Sequence, residues 1–306
     1  MRVLVTGASG FIGTQLCQYL SDRGHDIVTV TRHSGNADGF QVADIRRGLP
    51  SEALVGVETV VHLAAIAHRR GGSAIDFNEV NRDAAILVAN QSQEAGVGHL
   101  IFFSTSKVLG EFSEQPFTKT SPLNPPDAYS SAKAQAETAI QTLGGAMTVS
   151  IVRPPVVYGP GAVGNIQLLV NAVKRGIPIP VSSVPNARSM IYAGNLVEAA
   201  RLLVDAGDRA SGMFHPTDGR PLSSEALVKV IGEALGRKPR LVRLPGGLLE
   251  AGNAALSLAG LPYLAPLFKN FELSRDEDLD NLGWPQDTRC RLAETLVQVS
   301  PLRRVK

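Results

Sequence analysis

Tyr129 and Lys133 are the two side chains of this sequence whose types and spacing best suit proton transfer. They stand four residues apart in a segment that favours a helix, so the spacing predicts that both project from one helix face. An ammonium group beside a phenol favours the phenolate and lowers a pKa that is ordinarily about 10, so Tyr129 should exchange a proton near neutral pH. Upstream, Ser104, Thr105 and Ser106 end a predicted buried strand, where their hydroxyls can share the substrate oxygen.

Three glycines, Gly7, Gly10 and Gly13, separate the first predicted strand from the first predicted helix. At this place a chain needs a tight turn and a close approach to phosphate, and the amides of the loop and of the helix start at Phe11 and Ile12 would face a pyrophosphate. Glycines also form ordinary strand-to-helix turns. Here the GxxGxxG spacing follows an N-terminal strand and opens an amphipathic helix, which predicts dinucleotide binding.

The end of the second predicted strand indicates which dinucleotide binds. An acidic residue about 20 positions after the loop normally binds the ribose 2′-hydroxyl, whereas an arginine there can pair with a 2′-phosphate. Arg32 stands nineteen positions after Gly13, and no acidic residue follows before Asp38. We therefore favour NADP(H), with NAD(H) as the alternative if Arg32 is a solvated residue that stacks on adenine. Asp44 is expected either to meet the adenine edge or to cap a helix.

Short apolar runs alternate with amphipathic ones through the first half of the chain. The runs are β-branched or aromatic, as buried parallel strands are, and they cover 3–6, 27–31, 59–63 and 99–104. Between them lie segments with helical spacing, which end at Gly24 and Gly96. This order predicts an α/β protein with a doubly wound parallel sheet, the Rossmann arrangement.

A Gly- and Pro-rich stretch at 153–161 interrupts the alternation. We expect a dinucleotide-binding domain over 1–160, with a returning segment at about 190–218. The remaining parts, 161–189 and 219–306, are expected to form a smaller, mostly helical substrate-binding lobe. Helical spacing in the second half covers 165–175, 194–206, 222–236 and 289–299.

The composition excludes several classes of protein. Among the 306 residues, Lys and Arg total 30 against 28 Asp and Glu, without a basic run, which argues against nucleic-acid binding. Cys17 and Cys290 are too few for a disulfide scaffold or a tetrahedral metal site. The first residues lack a signal-peptide core, and two prolines and Glu250 in the apolar stretch 248–268 argue for docking helices rather than a membrane span. We expect a cytoplasmic protein without bound metal or stable membrane insertion.

Six motifs taken together resemble a known family. They are TGASGFIG at 6–13, VVHLAA at 60–65, STSKVLGE at 104–111, YSSAK at 129–133, VRPPVVYGPG at 152–161 and ARSMIYAGNL at 187–196. They are similar, over nearly the whole chain, to the extended short-chain dehydrogenase/reductases that act on nucleotide sugars, the NAD-dependent epimerase/dehydratase family. The STSKV and GN…RS segments look most like bacterial UDP-sugar 4-epimerases and UDP-4-keto-6-deoxy-N-acetylhexosamine 4-reductases of O-antigen biosynthesis. The resemblance implies a UDP-sugar substrate and hydride transfer at its C4.

The resemblance also implies roles for single residues. Tyr129 matches the family's acid/base, Lys133 its partner, and Thr105 the hydroxyl that holds the sugar oxygen. The other expected positions are cofactor-binding Ile45, Leu63, Ala64, Ala65 and Pro154, and substrate-binding Ser106. His68, just after a predicted strand, is a further candidate for the substrate pocket. Asn81 matches a helix asparagine that supports the cofactor site in relatives, with a helix-surface amide as the alternative.

The nucleotide diphosphate should be held by two further residues. Asn165 and Arg188 match the family positions that do so, and an amide and a guanidinium suit phosphate oxygens. The family's second phosphate-binding arginine has no clean counterpart here, and Lys269 and Arg275 are the candidates. The resemblance leaves a homodimer open.

Two activities fit these residues. A 4-epimerase recycles one tightly held NAD, whereas a 4-reductase exchanges cofactor at every turnover and draws mainly on NADPH. Arg32 therefore favours reduction of a UDP-4-keto-6-deoxy-N-acetylhexosamine, with a UDP-sugar 4-epimerase as the alternative. A 4,6-dehydratase would need an Asp-Glu pair where Ser106 and Lys107 follow Thr105. A non-catalytic dinucleotide sensor need not keep Thr105, Tyr129 and Lys133 together, so the presence of all three argues against a sensor.

Overall fold

A seven-stranded parallel sheet forms the centre of the protein. The computed structural model describes residues 1–32, 40–41, 44–66, 74–143, 145–162, 165–182, 186–245, 247–248 and 269–284. Within these residues the strands are β1 (Arg2–Thr6), β2 (Asp26–Thr31), β3 (Phe40–Gln41), β4 (Thr59–His62), β5 (His99–Phe103), β6 (Thr148–Val152), β7 (Val156–Tyr158), β8 (Ile179–Ser182), β9 (Met190–Tyr192), β10 (Gly212–Phe214) and β11 (Leu241–Leu244).

The order of strands in the sheet is that of a doubly wound fold. It runs β10, β6, β5, β4, β1, β2, β3, and every neighbouring pair is parallel. The four strands predicted in the first half of the chain are confirmed to within one residue at each end. The predicted α/β class is therefore confirmed.

The helices lie on both faces of this sheet and in the second half of the chain. They are α1 (Phe11–Ser21), α2 (Ala74–Phe77), a π-helical stretch (Asn78–Asp83), α3 (Ala84–Glu94), α4 (Ala128–Gln141), α5 (Asn165–Arg175), α6 (Ala193–Ala206), α7 (Ser224–Ala234) and α8 (Glu277–Asn281). In the described part of the chain, none of them combines the length and the apolar character needed to cross a membrane.

Each face of the sheet has its own apolar core. Because side chains alternate along a strand, Val3 and Val5 of β1 lie in one core and Leu4 lies in the other. The first core is completed by α1 and α6, and the second by α3 and α4, with Leu16 and Ile140 as examples of buried helix residues. The uninterrupted apolar character of the strand sequences therefore follows from burial of the strands on both faces.

The second half of the chain contains a third core, built from α5, α7 and two small parallel sheets. In these sheets β7 pairs with β9, and β8 pairs with β11. The helices expected at 165–175, 194–206 and 222–236 are present as α5, α6 and α7, and the one expected at 289–299 lies outside the described residues. The strands were not expected. Pro180 made β8 resemble a connection, but a proline is tolerated in a strand at the edge of a sheet.

Parts of the second half return to the central sheet. Helix α6 packs against α1, and β10 extends the sheet beyond β6. The segment 269–284 forms single bridges from Phe271 to Arg188 and from Leu273 to Phe117. The domain boundaries given above stay predictions.

Candidate active site

The glycine loop lies where the strand order of the sheet reverses. From β1 the chain continues to β2 and β3 on one side, and later to β4, β5 and β6 on the other. In doubly wound sheets, ligands bind in the crevice at the carboxyl ends of the strands on either side of such a reversal. The predicted cofactor residues Gly7, Gly10, Phe11, Ile12 and Gly13 form the turn from β1 into α1 at this crevice.

Two of the glycines are required by close packing of the backbone. Gly7 has a φ of 68°, and a Cβ on it would lie 2.8 Å from the amide nitrogen of Ala64. A Cβ on Gly13 would lie 2.2 Å from the carbonyl oxygen of Gly7 and 2.8 Å from Cα of Ala8. A side chain at either position would therefore force the loop apart from β4 or from α1.

The first turn of α1 is open to a ligand. Its N-cap is Gly10, no side chain caps it, and it carries no acidic residue. A helix start of this kind offers backbone N–H donors and the positive end of the helix dipole to an anion. The close-packed loop and the open turn together fit the pyrophosphate of a dinucleotide.

The segment that follows β4 is held against the glycine loop through Thr6. The amide of Leu63 donates to the Thr6 carbonyl at 3.3 Å, and the amide of Ala64 donates to Thr6 Oγ1 at 3.2 Å. Thr6 Oγ1 also lies 2.9 Å from His62 Nδ1, so His62 is a hydrogen-bonded core residue. Leu63 and Ala64 thus border the loop, with exposed Ala65 next, and their contact with a cofactor stays a prediction.

Asn81 fixes the end of the same segment. It is buried, its Oδ1 accepts a hydrogen bond from the Ile66 amide at 2.8 Å, and its Nδ2 donates to the Ile66 carbonyl at 2.9 Å. The alternative of a helix-surface amide is therefore wrong. Asn81 lies in the π-helical stretch and reaches the backbone that follows β4.

The residues expected near adenine lie beyond β2 and β3. Arg32 directly follows β2 and is exposed at the carboxyl edge of the sheet, and its contact with a 2′-phosphate stays a prediction. Asp44 is the N-cap of a 3₁₀ turn, Ile45–Arg47, and its carboxylate pairs with Arg46 at 2.6 Å. Hydrogen bonds from Arg46 lower the pKa of Asp44. Asp44 therefore caps a short helix, which is one of the two roles expected for it. Ile45 packs against the second core.

Lys133 joins α4 to the end of β5. It is 1% exposed, and its Nζ donates to the carbonyl oxygen of Phe103 at 2.8 Å and lies 4.5 Å from the ring centre of Phe102. Tyr129, one turn earlier, is partly exposed, and its ring meets that of Phe77 edge-on at 6.2 Å. The two side chains therefore belong to one helix, as expected.

The protonation of this pair differs from the expectation. Burial and the negative charge of Asp127 raise the pKa of Tyr129 to about 12. Burial lowers the pKa of Lys133 to about 7, although the charge of Glu137 opposes that change. Lys133 is then only partly charged at neutral pH, and its amine is bound to a carbonyl. The expected lowering of the Tyr129 pKa by Lys133 is wrong for this structure.

Thr105 begins the 3₁₀ turn Ser106–Leu109 that follows β5. It is the N-cap of the turn, and its Oγ1 accepts a hydrogen bond from the Lys107 amide at 3.3 Å. The turn packs against α4, the helix that carries Tyr129. The sequence motif thus places its hydroxyl next to the helix of the proposed acid/base.

The three neighbouring hydroxyls differ in exposure. Ser104 and Ser106 are 5% and 3% exposed, and Thr105 between them is partly exposed. The Ser106 amide donates to the carbonyl of Pro154 at 3.0 Å, which joins the turn to the chain after β6. Exposure favours Thr105 as the hydroxyl that meets a substrate. The substrate contact of Ser106 and the cofactor contact of Pro154 stay predictions.

A buried ion pair behind Lys133 was missed by the sequence analysis. Glu137 lies one turn beyond Lys133, is 1% exposed, and accepts hydrogen bonds from Arg153 Nη2 at 2.6 Å and Nε at 3.1 Å. Arg153 directly follows β6. The spacing of Lys133 and Glu137 was the available signal, because it places an acid on the face of the proposed catalytic lysine.

Arg188, which is predicted to bind the diphosphate, lies in the second half of the chain just before β9. Its side chain is largely buried, its Nη1 donates to the Lys269 carbonyl at 2.9 Å, and its guanidinium lies 5.2 Å from the ring centre of Phe271. Burial lowers the pKa of Arg188 to about 10, with Glu111 acting in the opposite direction. Arg188 also borders a narrow pocket with Val156, Met190, Leu222, Ser223, Ser224 and Leu227.

The other residues expected to bind substrate are spread more widely. Asn165 is the first residue of α5, and His68 lies outside the described residues. Of the two candidates for the second phosphate contact, Lys269 lies with its Nζ 4.5 Å from the Phe112 ring centre, and Arg275 pairs with Asp280 at 2.5 Å. Their roles toward a diphosphate stay predictions.

Known proteins are similar to this chain in sequence. The chain matches the model of the NAD dependent epimerase/dehydratase family over residues 3–214. A UDP-glucose 4-epimerase of Vibrio cholerae is 34% identical over 249 residues, which are 77% of this chain and 76% of that protein. An N-acetyl-alpha-D-glucosaminyl-diphospho-ditrans,octacis-undecaprenol 4-epimerase of Escherichia coli O157:H7 is 28% identical over 251 residues, 80% of this chain and 75% of that protein.

The fold is shared with solved structures as well. MoeE5 in complex with UDP-glucose and NAD superposes with a TM-score of 0.78 at 24% identity, over 98% of this chain and 97% of that one. The family match begins in β1 and ends in β10, so it takes in the glycine loop together with Thr105, Tyr129 and Lys133. The protein belongs to the NAD-dependent epimerase/dehydratase family.

Proposed function

We propose that this protein is a UDP-sugar 4-epimerase. The observation that carries the proposal is the grouping of Thr105, Tyr129 and Lys133 around the end of β5, two strands from the glycine loop on the same sheet. The 34% identity to a UDP-glucose 4-epimerase supports the choice of reaction. The solved relative that contains UDP-glucose and NAD supports the same pair of ligands.

Each catalytic residue has a distinct task at C4 of the sugar. A bound nicotinamide supplies the hydride acceptor and the hydride donor for this carbon. Tyr129 takes the proton of the C4 hydroxyl when the sugar is oxidised and returns it to the C4 oxygen when the ketone is reduced. Thr105 donates a hydrogen bond from its hydroxyl to the same oxygen, while its Oγ1 accepts from the Lys107 amide. Lys133 fixes α4 to the end of β5 through its hydrogen bond to the Phe103 carbonyl.

The diphosphate of the substrate would be held by the second half of the chain. We propose that Arg188 and Asn165 bind it, since a guanidinium offers paired donors to phosphate oxygens. In this assignment the domain over 1–160, with its returning segment at about 190–218, carries the cofactor. The substrate lobe consists of 161–189 and 219–306.

A 4-reductase is the second candidate, and Arg32 is the observation that favours it. Arg32 directly follows β2, at the position where an acidic residue would bind the ribose 2′-hydroxyl of NAD. An arginine there suits a 2′-phosphate and therefore NADP(H). The substrate would then be a UDP-4-keto-6-deoxy-N-acetylhexosamine. Chemistry at C4 uses the same three catalytic residues in either case.

The experiment that separates these functions follows both the sugar and the cofactor. The purified protein is denatured and its released dinucleotide identified, and the native protein is incubated with UDP-glucose and UDP-N-acetylglucosamine while ¹H NMR follows the C4 epimers. We expect copurified NAD and epimer formation without net change in nicotinamide absorbance, and no epimer with Tyr129→Phe. Oxidation of added NADPH only with a UDP-4-keto-6-deoxy sugar would establish the reductase. Turnover of neither substrate would reject a function at C4 of UDP-sugars.

A further inference from the structure

Lys107 contacts both sides of the candidate active site. Its backbone amide donates to Thr105 Oγ1 at 3.3 Å, and its side-chain Nζ donates to Asp127 Oδ2 at 2.6 Å. The first contact belongs to the turn that follows β5, and the second reaches the start of α4. One residue therefore connects the proposed substrate hydroxyl to the helix of the proposed acid/base.

Asp127 is the other end of this connection. It is the N-cap of α4, and its Oδ1 accepts hydrogen bonds from the Ser130 amide at 2.8 Å and from Ser130 Oγ at 2.6 Å. Its second carboxylate oxygen receives the Lys107 ammonium. Tyr129 follows two residues later, in the first turn of the helix, so a charge at Asp127 acts on the phenol at short range.

The charge of Asp127 opposes ionisation of Tyr129, and Lys107 is placed to offset it. Together with burial, the carboxylate raises the pKa of Tyr129 to about 12. Although burial acts to raise the pKa of Asp127, hydrogen bonds from Lys107 and Ser130 lower it. Asp127 is therefore ionised at neutral pH, and the ammonium 2.6 Å away compensates its charge.

Other charged side chains belong to the elements packed against α4. On the π-helical stretch, Glu79 pairs with Arg46, and Arg82 pairs with Asp83, each at 2.6 Å. Asp76 lies on α2.

The remaining charges lie behind Tyr129 or at the end of a neighbouring helix. Within α4, Lys133 and Glu137 follow Tyr129, and Glu137 pairs with Arg153, while Glu94 ends α3. Among the described residues, Asp127 is the one whose charge raises the pKa of Tyr129.

We propose that Lys107 and Asp127 form an ionic tether that holds the Thr105 turn against the start of α4 and offsets the negative charge facing Tyr129. Both are positioning residues, since they act on the proposed reaction through Thr105 and Tyr129. The role in turnover rests on the proposed function. Both side chains are partly exposed, at 36% and 42%, so replacing them leaves no buried charge uncompensated.

The test uses two single variants with opposite expected effects. Lys107→Met removes the ammonium and leaves the Asp127 charge uncompensated, so the phenol should titrate at higher pH. Asp127→Asn removes that charge and keeps a good N-cap, so the phenol should titrate at lower pH. The double variant should return close to the unsubstituted protein. Lys229→Met removes an ammonium that pairs with Glu225 at 2.8 Å on α7, and it serves as the matched control.

Titration of Tyr129 is measured without substrate. The five tyrosines are replaced biosynthetically by a fluorinated tyrosine of lower phenol pKa, and the ¹⁹F NMR signal that is missing from Tyr129→Phe identifies position 129. We expect the midpoint to rise in Lys107→Met and fall in Asp127→Asn, by roughly 0.2–0.7 pH unit each, and to stay unchanged in Lys229→Met. Equal midpoints in both variants, or shifts in the same direction, would overturn the tether.

Turnover of the UDP-sugar provides the second measurement. Lys107→Met should lower kcat at pH 7 several-fold with little change in KM, because the substrate contacts remain and only the phenol and the Thr105 turn are disturbed. If the unsubstituted protein turns over no UDP-sugar but the two midpoints move apart, the proposed function fails and the tether stands. If the sugar is turned over and the midpoints do not move, the tether fails and the function stands.

Discussion

The acidity of one phenol governs the candidate site at the scale of single residues. Burial and the charge of Asp127 raise the pKa of Tyr129 to about 12, so its hydroxyl is protonated at pH 7. A spacing of four residues correctly predicted a shared helix face but not this acidity. The pKa depends on burial and on Asp127, and the Lys133 amine donates a hydrogen bond to the carbonyl of Phe103. Small changes in the charges around Tyr129 therefore have large effects on its ionised fraction.

Replacing Tyr129 by phenylalanine tests the proton transfer directly. Tyr129→Phe should retain dinucleotide and UDP-sugar binding and lose on the order of 10²-fold or more in turnover, because it removes only the hydroxyl that exchanges the proton. Tyr19→Phe is the matched control, since the Tyr19 hydroxyl donates to Glu198 between α1 and α6. Steady-state kinetics and calorimetric binding measure both properties. Near-normal turnover by Tyr129→Phe would exclude this residue as the acid/base.

Replacing Arg32 by alanine tests cofactor choice. If Arg32 pairs with the 2′-phosphate, Arg32→Ala should weaken the binding of NADPH by about 1.5 kcal/mol and leave the binding of NADH nearly unchanged. This value is the low end for a charge-assisted contact, because the Arg32 side chain is exposed and salt screens the pair. Dissociation constants at two salt concentrations measure the effect, with Arg209→Ala as an exposed control after α6. Equal weakening of both dinucleotides, or tighter binding of NADH by the unsubstituted protein, would speak against NADP(H).

At the scale of elements, local patterns were readable from the sequence and long-range pairings were not. Strands β1, β2, β4 and β5 and helices α5 to α7 follow from apolar runs and helical spacing, and the structure confirms them. The partners of Glu137 and Lys107 were not predictable, because Arg153 and Asp127 stand 16 and 20 residues away. Nothing in a single sequence tells which distant charge a side chain will meet after folding. The pairings β7/β9 and β8/β11 were likewise not predictable, and Pro180 also disguised β8 as a connection.

The contact between the glycine loop and α1 can be tested by one methyl group. Gly13→Ala places a Cβ 2.2 Å from the Gly7 carbonyl oxygen, so the loop must move and dinucleotide affinity should fall at least about tenfold. Overpacking of this kind costs about 1–3 kcal/mol, which exceeds the gain of about 1 kcal/mol from placing alanine in a helix. Gly98→Ala is the control, since its Cβ would lie 3.7 Å from the nearest atom, the Glu58 carbonyl oxygen. Unchanged affinity in Gly13→Ala would show that the loop does not shape the cofactor site.

At the scale of the whole molecule, three buried histidines among the described residues make stability depend on pH. His62, His99 and His215 are each at most 2% exposed, and burial lowers their pKa values to about 3, 4 and 3. Below pH 6.5 the unfolded chain binds protons at these histidines and the folded protein does not. Folding is therefore progressively disfavoured as the pH falls from about 6.5 toward 4, and this loss is absent at neutral pH.

This linkage predicts the direction and size of an acid effect. Between pH 6.5 and 5, the free energy of unfolding should fall by about 1 kcal/mol per histidine for each pH unit, or at most about 5 kcal/mol over the whole range for the three together. Urea denaturation at several pH values measures the slope. His99→Gln, which can keep a hydrogen bond to Ser150, should reduce the slope by about a third. A free energy of unfolding that does not change over this range would contradict the buried, neutral state of the histidines.

The pairing of β10 with β6 has a consequence for biosynthesis. Ser150 and Ala210, which are joined by a hydrogen bond beside these strands, stand 60 residues apart. A ribosome adds about 5–20 residues per second, so β6 waits roughly 3–12 s for its outer neighbour. During that time the strand Thr148–Val152, with the sequence TVSIV, presents an unpaired edge that another nascent chain can join. The last strand of the sheet therefore influences how much protein reaches the native state, in addition to how stable that state is.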